Sequence, residues 1–165
     1  MKKWSFILFI AVVLLSVGCD SRSEQAAAYN DRLIERQVYV LDAFNDLDSS
    51  LSSIDTSYID EAYHILRGRI KESLREVQQM NDFKGDAELK NATIDLFRGY
   101  DELAAGPYNQ LIDLISLPDS SFTPRQQLRA LELEDDIING SASLHQSYAK
   151  RQQAFGERYN VTFEE

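Results

Sequence analysis

The chain has 165 residues and carries 17 Lys and Arg against 27 Asp and Glu, a net charge of −10 at neutral pH. A body this acidic repels phosphate backbones and anionic lipid surfaces, which argues against nucleic-acid binding. One cysteine removes disulfides and Cys-x-x-Cys-His haem attachment, while three prolines, seven glycines and no alternating strand pattern point to a helical chain of one-domain length.

The N-terminus reads first as an address. Lys2 and Lys3 form a positive n-region, Phe6 to Leu15 an apolar h-region, and Gly18 a small residue at a cleavage point. Together they predict a secretory signal peptide over residues 1–18. The apolar run is about a dozen residues, short of the roughly 20 that span a bilayer, and the chain turns polar at once in Asp20-Ser21-Arg22-Ser23-Glu24.

Cys19 follows the small residue directly. Leu15-Ser16-Val17-Gly18-Cys19 resembles the lipobox of bacterial lipoproteins, with the leucine one position further out than is usual. The resemblance implies cleavage after Gly18, acylation of Cys19 and a membrane tether at the new N-terminus. One acyl chain anchors only marginally, so a diacylglyceryl thioether with a further N-acyl group would suffice without an amphipathic anchoring helix. Asp20 resembles the residue that retains enterobacterial lipoproteins in the inner membrane, whereas other bacterial groups sort on different residues. The membrane therefore stays open, and the body is expected to face the periplasm. Removing residues 1–18 deletes Lys2 and Lys3 and no acid, leaving 15 basic against 27 acidic residues.

After a tether over 19–25, four helical segments are predicted within residues 26–160. The first, about Ala26 to Ile54, places Tyr29, Leu33, Val40, Phe44, Leu47, Leu51 and Ile54 on one side. Its opening, Ala28-Tyr29-Asn30-Asp31-Arg32-Leu33-Ile34-Glu35-Arg36-Gln37, is similar to the start of the mature region in a group of bacterial surface lipoproteins to which no activity is attached. That likeness implies an envelope setting and supplies no catalytic residue.

The second segment starts near Ser57, with Asp60 and Glu61 where the helix dipole favours negative charge. Ile59, Ala62, Tyr63, Leu66, Ile70, Leu74, Val77 and Met80 recur regularly until the turn at 81–86. The third runs from Ala87 to Ser116 through Leu89, Ala92, Leu96, Phe97, Tyr100, Leu103, Leu111 and Leu114. Gly106-Pro107 predicts a kink or break within it. A loop over 117–122 leads to Thr123, a cap, and Pro124 at the first helical position. The last stripe is Leu128, Leu131, Ile138, Ala142, His145, Tyr148 and Phe155, interrupted by Asp135 and Gln152 and ending near Tyr159, before a tail over 161–165.

Four amphipathic helices with short loops each need to bury one side, and an antiparallel up-down bundle is the simplest solution. Catalytic and metal signatures are weak. Glu61-Ala62-Tyr63-His64 is half of a di-iron Glu-x-x-His pair, but Ala142 stands where His145 would need its glutamate. No Gly-x-Ser-x-Gly elbow or phosphate-cradling loop is present. Glu132, Glu134, Asp135 and Asp136 read as a solvated helix face. The asparagine sequons at 91, 139 and 160 would be idle in a bacterium, the source that the lipobox resemblance implies.

The expectation is a lipid-anchored, all-α envelope protein with no catalytic site, metal or cofactor, which binds a protein partner. The alternatives are an enzyme or ligand carrier with a pocket or polar core near His145, Asp135 and Pro107, and an immunity or inhibitor lipoprotein whose acidic face mimics an anionic substrate.

Overall fold

Apolar residues three and four apart leave a helix with one side that water disfavours, and here four such sides meet. The computed structural model describes the backbone of residues 4–53, 56–118 and 121–163, and the side chains of 22–53, 57–118 and 121–163. It is an all-α bundle with no strand among the described residues. The helices are α1 (Trp4–Leu51), α2 (Ile59–Gln79), α3 (Glu88–Leu103), α4 (Asn109–Ile115) and α5 (Pro124–Tyr159). A single π-turn, Ala104–Tyr108, joins α3 to α4, so these two form one rod.

Successive rods run antiparallel. Arg36 and Tyr39 of α1 reach Glu76 and Glu72 of α2, Tyr63 and Arg67 reach Ala104 and Asp101, and Arg151 reaches Asp95. The core is built from the expected positions of the first three rods: Leu33, Val40, Leu47, Leu66, Ile70, Val77, Leu89 and Phe97 are fully buried. Full burial of one such side chain stabilises the fold by about 1.5–3 kcal/mol. α3 lies between α2 and α5 and buries Thr93, Ile94 and Gly99 beyond the predicted stripe.

Several boundaries differ from expectation. The side chains of Gly18, Cys19 and Asp20 lie outside the described residues, but the α1 backbone is continuous through them, and the predicted tether residues 22–25 are helical. No Gly or Pro follows Gly18 to stop the helix, and Ala26 is fully buried against the bundle. Arg22 already packs on it, its guanidinium 5.2 Å from the Tyr159 ring. α1 ends at Leu51, and Ile54 lies outside the described residues. α2 starts at Ile59 after a 3-10 turn, Thr56–Tyr58.

The break at Gly106-Pro107 is a π-turn and not an interruption. Proline has no N–H to donate and its ring crowds the preceding turn, and one widened turn relieves both without ending the rod. The Tyr63 hydroxyl donates to the Ala104 carbonyl (3.2 Å) and ties α2 to this turn. At the start of α5, Pro124 follows Thr123, whose N–H donates to Gln126 Oε1 (2.6 Å) in a capping box. Asn160 ends α5 in the left-handed region with φ 55°.

The largest departure is in the first half of α5. Leu128, Leu131 and Ile138, predicted as core, are 58%, 58% and 64% exposed. The buried side is instead Leu133, Tyr148, Phe155 and Tyr159, with Ile137 and Leu144 partly buried. Predicted and observed stripes coincide only from Tyr148 onward, because this helix carries two apolar stripes and only one of them meets the bundle.

Candidate functional site

The residues sort by height along the bundle. The lower half, residues 22–36, 70–98 and 145–163, carries 11 Lys and Arg against 10 Asp and Glu. The upper half, described residues 37–53, 56–69, 99–118 and 121–144, carries 4 against 12. Most of the protein's net negative charge is therefore in the half away from the turn at 81–86, where α1 enters the bundle from Cys19.

The lower half is built for cohesion. Tyr29, Phe83, Phe155 and Tyr159 form one aromatic cluster, with ring centroids 4.7 to 6.2 Å apart. Phe83 enters it from the 81–86 turn, which Lys84 and Gly85 bend through positive φ of 52° and 86°. Asp86 holds the end of the turn, accepting from Arg158 (2.5 Å), Tyr159 (3.0 Å) and the Glu88 N–H (2.9 Å). Burial works to raise the Asp86 pKa, but those three donors outweigh it and keep the carboxyl below its usual range. Lys90 pairs with Asp82 and Arg36 with Glu76. Beside the cluster is a cleft of about 500 Å³ lined by residues that include Tyr29, Arg32, Phe83 and Lys84. Burial, with the charge on Asp82 second, raises the Tyr29 pKa to about 12, so its hydroxyl stays a donor to the Asn81 carbonyl (3.1 Å).

A neutral polar layer crosses the middle. Gln37, Ser73, Thr93 and Tyr148 of α5 are buried; Thr93 donates to the Leu89 carbonyl (3.0 Å), while among the described residues the Gln37 amide nitrogen and the Ser73 and Tyr148 hydroxyls find no hydrogen-bond partner. Ser73 falls between Glu72 and Glu76, which reach Tyr39 and Arg36, so it lies near the height of Gln37. Burial raises the Tyr148 pKa, and the nearby Gln37 and Thr93 side chains oppose the rise. The layer holds no carboxylate and no histidine. It suits the fixing of helix register better than acid–base chemistry.

The expected polar core is dispersed. His145 is at the boundary, exposed, with Nε2 2.5 Å from the hydroxyl of fully buried Tyr100. Burial, helped by the charge that Tyr148 would carry, raises the Tyr100 pKa. Asp135 is exposed on the outer side of α5 and contributes nothing to a core, because the helix is rotated from the predicted register. Pro107 is half-buried in the π-turn, and none of the three lines the cleft at Tyr29 and Phe83. His64 is also exposed. Among the described residues no group of three or more His, Cys, Asp and Glu side chains is placed to hold a metal ion, and no helix is long and apolar enough to cross a membrane.

The upper half combines acid with uncovered apolar surface. Tyr58, Ile65, Leu128, Leu131 and Ile138 are exposed there. Asp48 accepts from the Tyr108 hydroxyl at 3.0 Å, yet burial keeps its pKa above the usual value despite that bond. The signal for this region was present in the sequence as the acidic run 132–136 beside leucines. It was hidden because those leucines also fit a core stripe. No protein-family model, curated protein sequence or solved structure matches the chain.

Proposed function

We propose that the protein is a lipid-anchored component of a bacterial cell envelope, tethered through acylated Cys19, whose helical bundle is a non-catalytic module for binding another protein. The observation that carries this reading is the polarity of the bundle. The end nearest Cys19 is charge-balanced and tightly tied, while the far half holds the acidic charge and the uncovered apolar side chains. A tether at one end and a sticky, charged surface at the other fit a body held off the membrane to meet a partner. The cleft at Tyr29, Arg32, Phe83 and Lys84 favours a second reading, a ligand carrier, whose pocket would lie at the membrane end and not near Pro107.

Metabolic labelling with an alkyne fatty acid tests the anchor. The wild type should be labelled, and Cys19→Ser should lose the label and accumulate as unprocessed precursor. Label retained by the variant, or absent from the wild type, contradicts the anchor. Protease treatment of intact cells tests the facing. A body in the periplasm is digested only after the outer envelope is opened, and digestion of intact cells would place it on the surface.

A further inference from the structure

The outward stripe of α5 carries a more specific meaning, which rests on the interaction reading above. Gln152, His145, Ile138 and Leu131 are spaced by sevens and so lie along nearly one line of the helix. At the lower end this line meets the bundle: Gln152 donates to Asn30 of α1 (2.8 Å) and His145 meets Tyr100. At the upper end the same line is open, with Leu131 and Ile138 58% and 64% exposed. There the other side of α5 packs on the bundle, with Leu133 buried, Gly140 against Leu103 of α3 and Arg129 bonded to Gln110 of α4 (3.0 Å). This line of α5 is therefore closed at the bottom and open at the top.

We infer that this open face of α5, Leu128, Leu131 and Ile138 around Asp135, is a docking site for a cationic amphipathic helix of a partner protein. The charge decides among occupants. Asp135 stands four residues after Leu131 and three before Ile138, inside the apolar line and exposed. Glu134 and Asp136 flank it, also exposed, and Arg129 is already paired with Glu132 (3.0 Å). A second copy of the chain would bring a second strongly acidic half against the first, and like charges at close range disfavour that pairing. An anionic lipid surface is repelled for the same reason, and it lies at the other end of the bundle. A helix with apolar residues at i, i+3 and i+7 and a Lys or Arg among them covers the leucines and meets Asp135. From Leu128 to Ile138 the face is ten residues long, about 15 Å, or nearly three turns of such a helix.

The test uses the full chain in uncharged phosphatidylcholine nanodiscs and a fluorescent 14-residue Leu/Lys amphipathic peptide, read by anisotropy. Controls are the same residues in scrambled order and a Leu/Glu counterpart. The wild type should bind the amphipathic peptide about tenfold or more tightly than the scrambled one, and should not bind the acidic one. Leu131→Ser with Ile138→Ser should cost at least about tenfold, as anchors at the centre of an interface do. Asp135→Asn with Glu134→Gln should weaken binding and flatten its salt dependence. Glu157→Gln with Glu24→Gln, acids of the lower half, should change little. Equal binding of the scrambled peptide, or an undiminished affinity in the Leu131/Ile138 variant, overturns the inference. So does a dimer in analytical ultracentrifugation that Ile138→Ser dissociates, because a second copy then occupies the face. Circular dichroism of each variant checks that the helices persist. Failure here leaves the broader reading intact if a partner is crosslinked elsewhere on the body in native membranes, whereas absence of any adduct contradicts that reading.

Discussion

The two halves of the bundle use similar helices for opposite ends. In the lower half, contacts close within the chain: aromatic rings meet one another, Asp86 collects three donors, and α5 packs on both α3 and α1. In the upper half, a π-turn replaces regular helix, and leucine, isoleucine and carboxylate side chains face water together. Aromatic and ionic contacts are concentrated in the half nearest Cys19, and uncovered apolar and acidic surface in the half away from it. Exposed apolar residues scattered singly need no explanation, but several on one helix line beside uncompensated acid do.

This contrast breaks first under core substitution. Phe155→Ala removes a ring packed between Tyr29, Phe83 and Tyr159 and should destabilise by about 3–5 kcal/mol in urea unfolding. A loss under about 1 kcal/mol would mean the lower half is not the stable one. Gly156→Ala comes next. A Cβ there would lie 2.6 Å from the Val161 carbonyl oxygen and 2.9 Å from the Phe163 ring, so the C-terminal turn must shift. The expected cost is about 1–3 kcal/mol, despite alanine's better helix propensity.

Acid sharpens the comparison, since the two halves contain carboxylates that titrate in opposite senses. Asp86, with its folded pKa lowered, contributes stability that is present above its unfolded pKa and lost as pH falls through the folded value. Asp86→Asn should therefore lower Tm at pH 7 and flatten the fall in Tm below about pH 4. Asp48, with its folded pKa raised, is favourable when protonated and loses that contribution as pH rises through its folded value. Asp48→Asn should leave Tm unchanged or slightly higher at pH 7, with the difference vanishing in acid. Identical pH profiles for the two variants would contradict the assignment. The smallest effect is expected at the open face: Leu131→Ser and Ile138→Ser should each change stability by no more than about 0.5 kcal/mol. A larger loss would mean that these side chains are core after all.

Much of the fold is legible in the sequence because α1, α2 and α3 each carry a single apolar stripe. Ile59, Leu66, Ile70 and Val77 can face only one way. Thr123-Pro124 marks the start of α5 and the Asn81–Asp86 turn its place, since local chemistry suffices for both. α5 is different. Its two stripes, one through Leu133 and Leu144 and one through Leu131 and Ile138, are equally apolar, and periodicity cannot say which one the bundle takes. The choice is made by tertiary contacts: Leu144 lies over Gly99, and Leu103 over Gly140, close approaches that small residues allow. For the same reason His145 and Asp135, expected in a polar core, are exposed, and the neutral layer of Gln37, Ser73, Thr93 and Tyr148 is not legible in the sequence. Its members are isolated polar residues among apolar ones, and only the packing of four helices brings them to one level.

Site-specific photo-crosslinking in living cells tests the division of labour most directly. A benzophenone amino acid is placed at Ile138 in the upper half or at Lys150 in the lower half of the chain. Both positions are exposed on α5, so reactivity alone does not separate them. The account predicts a discrete protein adduct from position 138 that is lost when Asp135→Asn and Glu134→Gln are added, with none from position 150. Adducts from position 150 alone, or adducts from 138 indifferent to those two charges, would contradict it.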